Sequence, residues 1–240
     1  MLPWETKVVC NRHDLYRVGE QSHHCSIVVK GLLAKFAQTF DGKRQILSIY
    51  LPGDIANLQA MLVPETGTGF NALTATTVRW VQHQRLLDLV DHFPAIKYAL
   101  WRDCIIESQM LAQRLICIGR RNAKARIAYF LCEIAERYDV LRRSNGCKFQ
   151  LSMNQEQIGD ALGLTSVHVN RTIKELRDEG IISIAEREVR IADVAALKRI
   201  GEFDPSYLRM LSPCAKGTRS GDLGPGAIPA DFRERPAATL

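Results

Sequence analysis

The 240-residue sequence has no apolar run that approaches the roughly 18 residues needed to span a bilayer. Its N-terminus also lacks the charged segment followed by an apolar segment that marks a secretory signal peptide. We therefore expect a cytoplasmic protein. With 46% hydrophobic and 24% charged residues, the composition is that of a globular chain long enough for two modest domains with separate cores.

Cysteine pairs at metal-binding spacing are also absent. The seven cysteines include no Cys-x-x-Cys pair, and their odd number leaves one over, which argues against a zinc ribbon and a secreted disulfide framework. Cys104, Cys117, Cys132 and Cys147 fall on or beside predicted helices, where a free cysteine usually packs as a small hydrophobic residue. A redox-sensing thiol is the alternative.

Sequence signatures of enzymes are missing as well. A cupin metal site needs clustered ligands such as His-x-His with a following Glu, and the sequence has none. Neither a Ser-His-Asp pattern nor a Walker-type phosphate loop is found. A cupin-like barrel enzyme is therefore only a minor alternative to a binding protein.

The formal net charge of the chain is modest, at +6, but the excess of basic residues is unevenly distributed along the sequence. Lys and Arg outnumber Asp and Glu by two in residues 1–118, by four in residues 119–200 and not at all in residues 201–240. Proteins that bind nucleic acids concentrate basic residues where they meet phosphates. The distribution therefore indicates residues 119–200 as the candidate nucleic-acid-binding part of the chain.

Residues 7 to about 87 have the pattern of short strands separated by turns. Segments rich in β-branched and aromatic residues predict strands at 7–10, 26–29, 32–36, 45–50 and 73–81. The Asp41-Gly42 pair between two of them is a strong hairpin signal. Many short strands at this spacing predict a small antiparallel barrel or jelly roll.

The apolar period becomes helical after Pro94. Residues 95–118 contain neither Gly nor Pro, and apolar residues recur at Leu100, Cys104, Leu111, Leu115 and Ile118. A helix of about 24 residues is about 36 Å long, which is more than one small barrel can cover, and this helix is apolar on more than one face. A second copy of the chain is the expected cover, with packing on the chain's own barrel as the alternative.

A second helix is predicted after a break at residues 119–122, with Asn122 as its N-cap and an apolar stripe that begins at Ile127. The start of this helix is basic, with Arg120, Arg121, Lys124 and Arg126. Cations oppose the helix dipole at this end, and nearby phosphate would compensate for that. A solvated basic face is the alternative.

Residues 152–190 have the pattern of a winged helix-turn-helix. Asn154 followed by Gln157 predicts an N-cap with a capping-box partner for the first helix. Gly163 provides the backbone freedom that the turn needs, and Gly159 lets the second helix approach closely.

The second helix, at about 165–179, is predicted to be capped by Thr165 and ended by Gly180. Apolar alternation at 181–184 and 188–191 predicts a wing hairpin after it. The expected buried residues are Val169, Ile173 and Leu176. In such motifs the second helix enters the major groove of DNA. The predicted DNA-binding residues are Thr165, Ser166, Val167, His168, Asn170, Arg171, Lys174, Arg187 and Arg190.

Particular bases and phosphates suit these side chains. Arg171 has the geometry to bind O6 and N7 of a guanine bidentately, a contact worth about 1–3 kcal/mol of discrimination. Asn170 can recognise an adenine or hold a phosphate, and the methyl groups of Val167 can meet a thymine methyl. Further candidate phosphate ligands are Ser166, His168, Arg187 and Arg190. A solvated surface position is the alternative for each.

The order of these parts resembles the Crp/Fnr superfamily of bacterial transcription regulators over residues 7 to about 203. Its most specific motifs are residues 45–54 (QILSIYLPGD) and 157–172 (QIGDALGLTSVHVNRT). The second is similar to a branch, common in alphaproteobacteria, whose recognition helix carries a Val-His-Val-Asn-Arg run. The implied fold is α+β, with an N-terminal double-stranded β-helix (jelly-roll) sensor domain, a dimerisation helix and a C-terminal winged helix-turn-helix domain (1–94, 95–119 and 120–203). Residues 204–240 are predicted to be a disordered tail, because prolines and glycines are frequent there and periodic apolar residues are rare.

The resemblance implies a sequence-specific transcription regulator that acts as a homodimer on a palindromic promoter site. The long helices would pair at the two-fold axis, and the recognition helices would enter successive major grooves about 34–36 Å apart. RNA polymerase would be a further partner of an activator. The family's recognition arginine matches Arg171, whereas the glutamate that recognises cytosine would fall at Val167, so the family's half-site is not expected intact.

Departures from the family concern the barrel. Members that bind cyclic nucleotides hold the phosphate with a Gly-Glu pair after Pro-Gly-Asp and with an Arg-Ser or Arg-Thr pair. In this sequence Ala56-Asn57 stands in place of the Gly-Glu pair and Gly69-Phe70 in place of the Arg-Ser or Arg-Thr pair. No Lys or Arg occurs between residues 44 and 79. A buried phosphate without a cation would be poorly compensated, so we expect no cAMP binding.

Other cofactors of the family are not expected either. The N-terminal region has only Cys10 and Cys25, without the close spacing of an iron–sulfur cluster. Conceivable haem ligands are His23, His24, Cys25 and His83, but histidine pairs in turns are usually solvated. A regulator that needs no small ligand and is controlled by abundance or by partner proteins is therefore the alternative to a ligand-gated one.

Overall fold

The computed structural model describes residues 3–65, 67–139, 141 and 147–209. Its N-terminal strands are β1 (Glu5–Val9), β2 (Asp14–Tyr16), β3 (His24–Lys30), β4 (Leu33–Gln38), β5 (Arg44–Tyr50), β6 (Ile55–Ala56), β7 (Gly69–Ala72) and β8 (Thr76–Gln82), with a short 3-10 helix at Leu58–Met61. They form two antiparallel four-stranded sheets, with orders β1-β8-β3-β6 and β2-β7-β4-β5. This arrangement confirms the predicted jelly roll.

The turn between β4 and β5 forms as its Asp-Gly pair predicts. Gly42 has a φ of +83°, and its N–H donates to the carbonyl of Thr39 at 2.9 Å. Glycine adopts this left-handed backbone without the steric cost that a side chain brings. The turn therefore holds β4 against β5, with Leu33 opposite Tyr50.

Aromatic side chains fill the space between the two sheets. The ring of Phe70 is fully buried, and its centroid lies 5.8 Å from those of both Tyr16 and Tyr50. Trp80 stacks on Tyr16 at 6.0 Å. Alternate residues of each strand point inward, so the strand pattern itself produces this aromatic core.

Sequence patterns missed the short strands β2, β6 and β7 and misplaced two boundaries. The predicted strand at 73–81 begins only at Thr76, because the three residues before it form a bend. Strands were expected up to about Leu87, and this is wrong because helix α1 (His83–His92) follows β8 directly. The N-cap of α1, Gln82, makes no side-chain cap hydrogen bond, so the start of the helix carries no capping signal.

Helix α2 (Pro94–Arg120) is the predicted long helix. Phe93 separates it from α1 in an extended conformation, as expected for a residue before proline. The break predicted within residues 119–122 is confirmed, although α2 runs through Gly119 and ends at Arg120, one residue beyond its predicted end. No helix in the described ranges is long and apolar enough to cross a membrane.

One side of α2 is exposed and apolar in the single chain. This apolar face of α2 consists of Tyr98, Trp101, Ile105, Leu115 and Ile116, with Trp101 67% exposed. At 100° per residue the five positions span about 100° of the helix circumference. The opposite side is buried and includes Arg114, which pairs with the buried Glu133 of the next helix at 3.1 Å.

The C-terminal part forms the predicted winged helix-turn-helix. Its elements are α3 (Ala123–Arg137), β9 (Cys147–Gln150), α4 (Gln155–Leu162), α5 (Ser166–Asp178), β10 (Ile182–Ala185), β11 (Glu188–Ile191), α6 (Val194–Gly201) and α7 (Ser206–Arg209). The wing sheet has the order β10-β11-β9, so a third strand joins the predicted hairpin. Asn122 caps α3 as predicted, accepting from the N–H of Ala125 at 2.9 Å.

The expected separate cores are only partly observed, because the barrel has its own buried cluster around Phe70 but shares a second cluster with the C-terminal part. Residues of β5 such as Ile46 and Ile49 belong to the same hydrophobic cluster as α3, α4 and α5. Polar contacts cross the same boundary, because Arg137 of α3 pairs with Asp54 at 2.5 Å and donates to the carbonyl of Ile49 at 2.8 Å. The barrel therefore packs directly on the winged helix-turn-helix, a non-local contact that composition does not reveal.

The predicted disordered tail begins too early. Residues 204–209 continue the fold, because Tyr207 and Leu208 are buried and the hydroxyl of Tyr207 bonds to that of Tyr129 at 2.8 Å. Burial of these side chains against α3 offsets the entropy of ordering the segment. The rest of the predicted tail, 210–240, lies outside the described residues.

Candidate nucleic-acid interface

The first helix of the motif, α4, begins as predicted. The side-chain oxygen of Asn154 accepts from the N–H of Gln157 at 2.8 Å, and Oε1 of Gln157 accepts from the N–H of Asn154 at 2.9 Å. This capping box satisfies two backbone donors that the helix otherwise leaves unpaired. It therefore fixes the first turn of α4, including Gln155, its first residue.

Two glycines shape the turn between α4 and α5. Gly163 has a φ of +63°. A Cβ on Gly159 would lie only 2.4 Å from the carbonyl oxygen of Leu164, so the close approach requires glycine. Thr165 then caps α5, its hydroxyl accepting from the N–H of His168 at 3.3 Å. These contacts confirm the predicted turn and cap.

Helix α5 has one buried and one exposed face. Val169 and Leu176 are fully buried, as predicted. Ile173 is only half-buried, and Thr172 is buried although the sequence did not mark it. Val167 is 74% exposed, as expected of a residue on the outer face.

The structure places every predicted DNA-binding residue at the surface. The exposed residues are Thr165, Ser166, Val167, His168, Asn170, Arg171, Lys174, Arg187 and Arg190. All but two lie on α5 or at its N-cap. Arg187 lies in the turn between β10 and β11 with a φ of +66°, and Arg190 alternates with the buried Val189 and Ile191 along β11. Contacts of these residues with DNA stay predictions.

The two halves of α5 differ in charge. Residues 166–174 contain His168, Arg171 and Lys174 and no acidic residue, whereas Glu175 and Asp178 follow in the second half. The N-terminal end of a helix also carries the positive end of its dipole. Because phosphates line the DNA grooves, the N-terminal half of α5 is the half suited to enter one.

Two neighbouring side chains contact the central exposed residues of α5. Nε2 of Gln155 donates to Oδ1 of Asn170 at 3.2 Å. A carboxylate oxygen of Glu175 lies 3.8 Å from Nε of Arg171. The second contact has the i,i+4 spacing that a helix predicts, so the sequence could have revealed it. The first joins two helices, and no local pattern indicates it.

The basic cluster at the start of α3 has mostly structural partners. The guanidinium of Arg121 lies 4.4 Å from the centroid of the Tyr129 ring. Nζ of Lys124 binds both carboxylate oxygens of Glu179, the longer contact being 2.7 Å. Arg126 donates to backbone carbonyls at the ends of α2 and α4. These contacts favour a structural role over phosphate binding for the three cations.

The barrel does not fit a cyclic nucleotide. Ala56 and Phe70 are fully buried within the apolar core, where a phosphate site would need a cation. Asn57, 2% exposed, donates to the carbonyl of His24 at 3.4 Å. The hydroxyl of Tyr50 donates to Glu107 of α2 at 2.7 Å. These residues therefore offer a phosphate no cation, and their polar groups already bond within the protein.

The conceivable haem ligands have other contacts. His24 stacks on Trp80 at 5.1 Å, and the thiol of Cys25 donates to the carbonyl of Asn57 at 3.7 Å. Burial raises the pKa of Cys25 to about 12 and lowers that of His83, so both side chains are neutral near pH 7. Within the described residues, no three His, Cys, Asp or Glu side chains are grouped as a metal site.

Most of the helix-associated cysteines pack as predicted. Cys117, Cys132 and Cys147 are buried, and burial raises the pKa of all three thiols, to about 12 for Cys132. A thiol with a raised pKa is a poor nucleophile, which argues against redox sensing at these positions. Cys104 is exposed on α2, contrary to the packing expected of it, and Cys214 lies outside the described residues.

Comparison with protein families covers both parts of this fold. Residues 7–93 match the cyclic nucleotide-binding domain family, and residues 125–200 match the Crp-like helix-turn-helix domain family. The nitrogen fixation regulation protein FixK of Azorhizobium caulinodans is 30% identical over 198 residues, which is 80% of this chain and 77% of that protein. The chain belongs to the Crp/Fnr family of transcription regulators.

Other Crp/Fnr regulators show the same relationship. The transcriptional activator protein Anr of Pseudomonas aeruginosa is 29% identical over 179 residues, 75% of this chain and 73% of that protein. The structure of FixK2 from Bradyrhizobium japonicum has a TM-score of 0.75 at 26% identity and covers 83% of this chain and 98% of that chain. Crp/Fnr proteins are DNA-binding regulators and not enzymes, which removes the cupin-like enzyme from the alternatives.

Proposed function

We propose that this Crp/Fnr regulator binds an inverted repeat in promoter DNA as a homodimer, with α5 of each protomer in a major groove. The observation that carries the proposal is the exposed, acid-free N-terminal half of α5, which an internal cap and two glycines hold in place. A polar helix face on a rigid turn is the arrangement that major-groove recognition requires.

The apolar face of α2 supports the dimer. It presents large side chains to solvent in the single chain, including Trp101 and Leu115. A contiguous exposed apolar face of this kind commonly marks a protein interface. Two copies of α2 packed along these faces would form a two-fold axis, so two α5 helices would meet a palindromic site.

Arg171 is the residue we expect to determine guanine recognition. Its side chain is 65% exposed, and the carboxylate of Glu175 lies near Nε, which leaves the two terminal amino groups available to a base. Val167 provides no hydrogen bond where the family has a glutamate, so apolar contact with a thymine methyl replaces recognition of cytosine there. Phosphate contacts come from Ser166, His168, Lys174, Arg187 and Arg190.

Selection of bound DNA from a random pool tests this proposal. The full chain should enrich an inverted repeat whose half-sites contain at least one guanine. Arg171→Ala should remove the preference for that guanine by about 1–3 kcal/mol per half-site. Arg199→Ala, at an exposed position of α6 outside the recognition surface, is the control and should leave the selected sequence unchanged. Enrichment without two-fold symmetry, or an unchanged guanine preference in Arg171→Ala, would contradict the proposal.

A second candidate concerns control of the protein. The aromatic filling of the barrel favours a regulator whose DNA binding requires no nucleotide, with abundance or partner proteins as the control. Titration calorimetry with cAMP should give no binding heat in the micromolar range. Protein refolded from denaturant, and so stripped of small molecules, should bind the selected operator as tightly as protein purified natively. Loss of operator binding after stripping, or micromolar cAMP affinity, would contradict this candidate.

A further inference from the structure

The hydrogen bond between Gln155 and Asn170 joins the first turn of α4 to the centre of the recognition helix. Both side chains are exposed, so water competes for the same groups and the bond contributes little to the stability of the fold. Its effect on geometry is larger. It restricts an amide that would otherwise rotate freely over the surface that meets DNA.

We propose that Gln155 is a positioning residue that determines which base Asn170 recognises. The inference rests on the proposed DNA-binding function of α5. Because Nε2 of Gln155 donates to Oδ1 of Asn170, the amide nitrogen of Asn170 is the group left free to face a base. Asn170 therefore acts towards DNA mainly as a hydrogen-bond donor.

Base chemistry gives this orientation a consequence. In the major groove guanine offers the acceptors N7 and O6, thymine offers O4, adenine offers the acceptor N7 beside its N6 amino donor, and cytosine offers only the N4 amino donor. A donor held towards the groove therefore accepts guanine, thymine or adenine and disfavours cytosine at the base that it faces. An asparagine free to rotate would accept all of them, since it can present either its oxygen or its nitrogen.

The backbone around Gln155 supports a positioning role. The capping box between Asn154 and Gln157 fixes the turn from which Gln155 projects. The neighbouring base-recognition candidate, Arg171, also has a contact within the motif, an i,i+4 ion pair with Glu175. Restricting side chains before binding reduces the entropy lost when they meet DNA, and it narrows the set of bases that they accept.

Two substitutions at Gln155 separate this role from a simple phosphate contact. Gln155→Ala releases Asn170, so discrimination against cytosine should fall by about 2- to 12-fold per half-site, the value of one hydrogen bond. Gln155→Glu can only accept a hydrogen bond, so it should turn the amide of Asn170 round and leave its oxygen towards the base. Cytosine or adenine should then become preferred at that position.

The experiment is selection from a random pool followed by competition between operators that differ at the one affected base pair. Glu156→Ala, in the same exposed turn of α4, is the matched control and should keep the wild-type base preference. In an Asn170→Ala background, the Gln155 substitutions should no longer change base preference.

The outcomes distinguish this inference from the function on which it rests. If the wild-type chain selects no inverted repeat, the proposed function fails first. If it does select one, and Gln155→Ala and Gln155→Glu both keep the wild-type base ratio while weakening all operators equally, then Gln155 binds phosphate and the positioning role is overturned.

Discussion

The barrel and the winged helix-turn-helix differ in how far solvent reaches the residues that were compared with the family's binding sites. In the barrel, Ala56, Asn57 and Phe70, which the sequence comparison matched to the family's phosphate site, are almost completely buried. In the winged helix-turn-helix, the predicted DNA-binding residues are all exposed and, apart from Val167, polar. One fold therefore contains a closed apolar interior at one end and an open polar surface at the other.

This difference predicts which property, stability or DNA recognition, a substitution in each part should change. A side chain that fills an interior contributes mainly to stability, whereas an exposed polar side chain contributes mainly to recognition. Substitutions in the barrel should therefore change the free energy of unfolding and leave base preference intact. Substitutions on the outer face of α5 and in the wing should change DNA binding and leave the free energy of unfolding nearly unchanged.

The largest effect is expected for Phe70→Ala. Removal of a fully buried aromatic ring leaves a cavity between the sheets, so the free energy of unfolding should fall by about 3–5 kcal/mol. Chemical denaturation measures the loss, and selection of DNA by the remaining folded protein should give the wild-type operator. Phe40→Ala, at a fully exposed position of the β4–β5 turn, is the control. Selection of a different operator by Phe70→Ala would contradict the expectation that barrel substitutions leave base preference intact.

Gly159→Ala should have the next largest effect, and it tests the rigid part of the DNA-binding end. The new methyl group would lie 2.4 Å from the carbonyl oxygen of Leu164, so the turn must shift at a cost of about 1–3 kcal/mol. Denaturation should show the loss, and operator affinity should fall as well because α5 moves. Gly119→Ala, where a Cβ meets no atom within 4 Å, is the matched control. Equal stability of the two variants would contradict the prediction.

Arg187→Gly should have the smallest effect and leaves stability unchanged. Glycine accepts the φ of +66° at this wing turn, so the substitution removes the guanidinium without straining the backbone. Loss of one phosphate contact per protomer should weaken binding to all sequences alike. It should also lower the slope of log affinity against log salt by about two per dimer. A slope that does not change would place Arg187 away from the DNA backbone.

Local sequence signals predicted the parts of the fold that local contacts determine. The capping box at Asn154, the cap at Thr165 and the left-handed Gly163 each involve residues no more than four apart, and all three form as expected. The apolar stripe of α2 likewise follows from helical periodicity. These features need only the chain near them.

Contacts between distant segments could not be predicted in this way. Gln155 and Asn170 are in contact because the turn packs α4 against α5. Similarly, α7 is held to the fold by the hydrogen bond between Tyr207 and Tyr129, which lie 78 residues apart in the sequence. Helix α1 was missed for a different reason, since its start has no capping side chain and follows a strand without a turn. Tertiary packing decides these features, and single-sequence patterns carry little of that information.

The shared hydrophobic cluster of β5 and α3, together with the Arg137–Asp54 ion pair, has a thermodynamic consequence. Because the β5 side of the barrel is buried against the winged helix-turn-helix, the barrel cannot lose its structure without exposing apolar surface of the winged helix-turn-helix. Heat should therefore melt both ends together. Operator DNA bound at one end would then raise the melting temperature of barrel strands that it never touches.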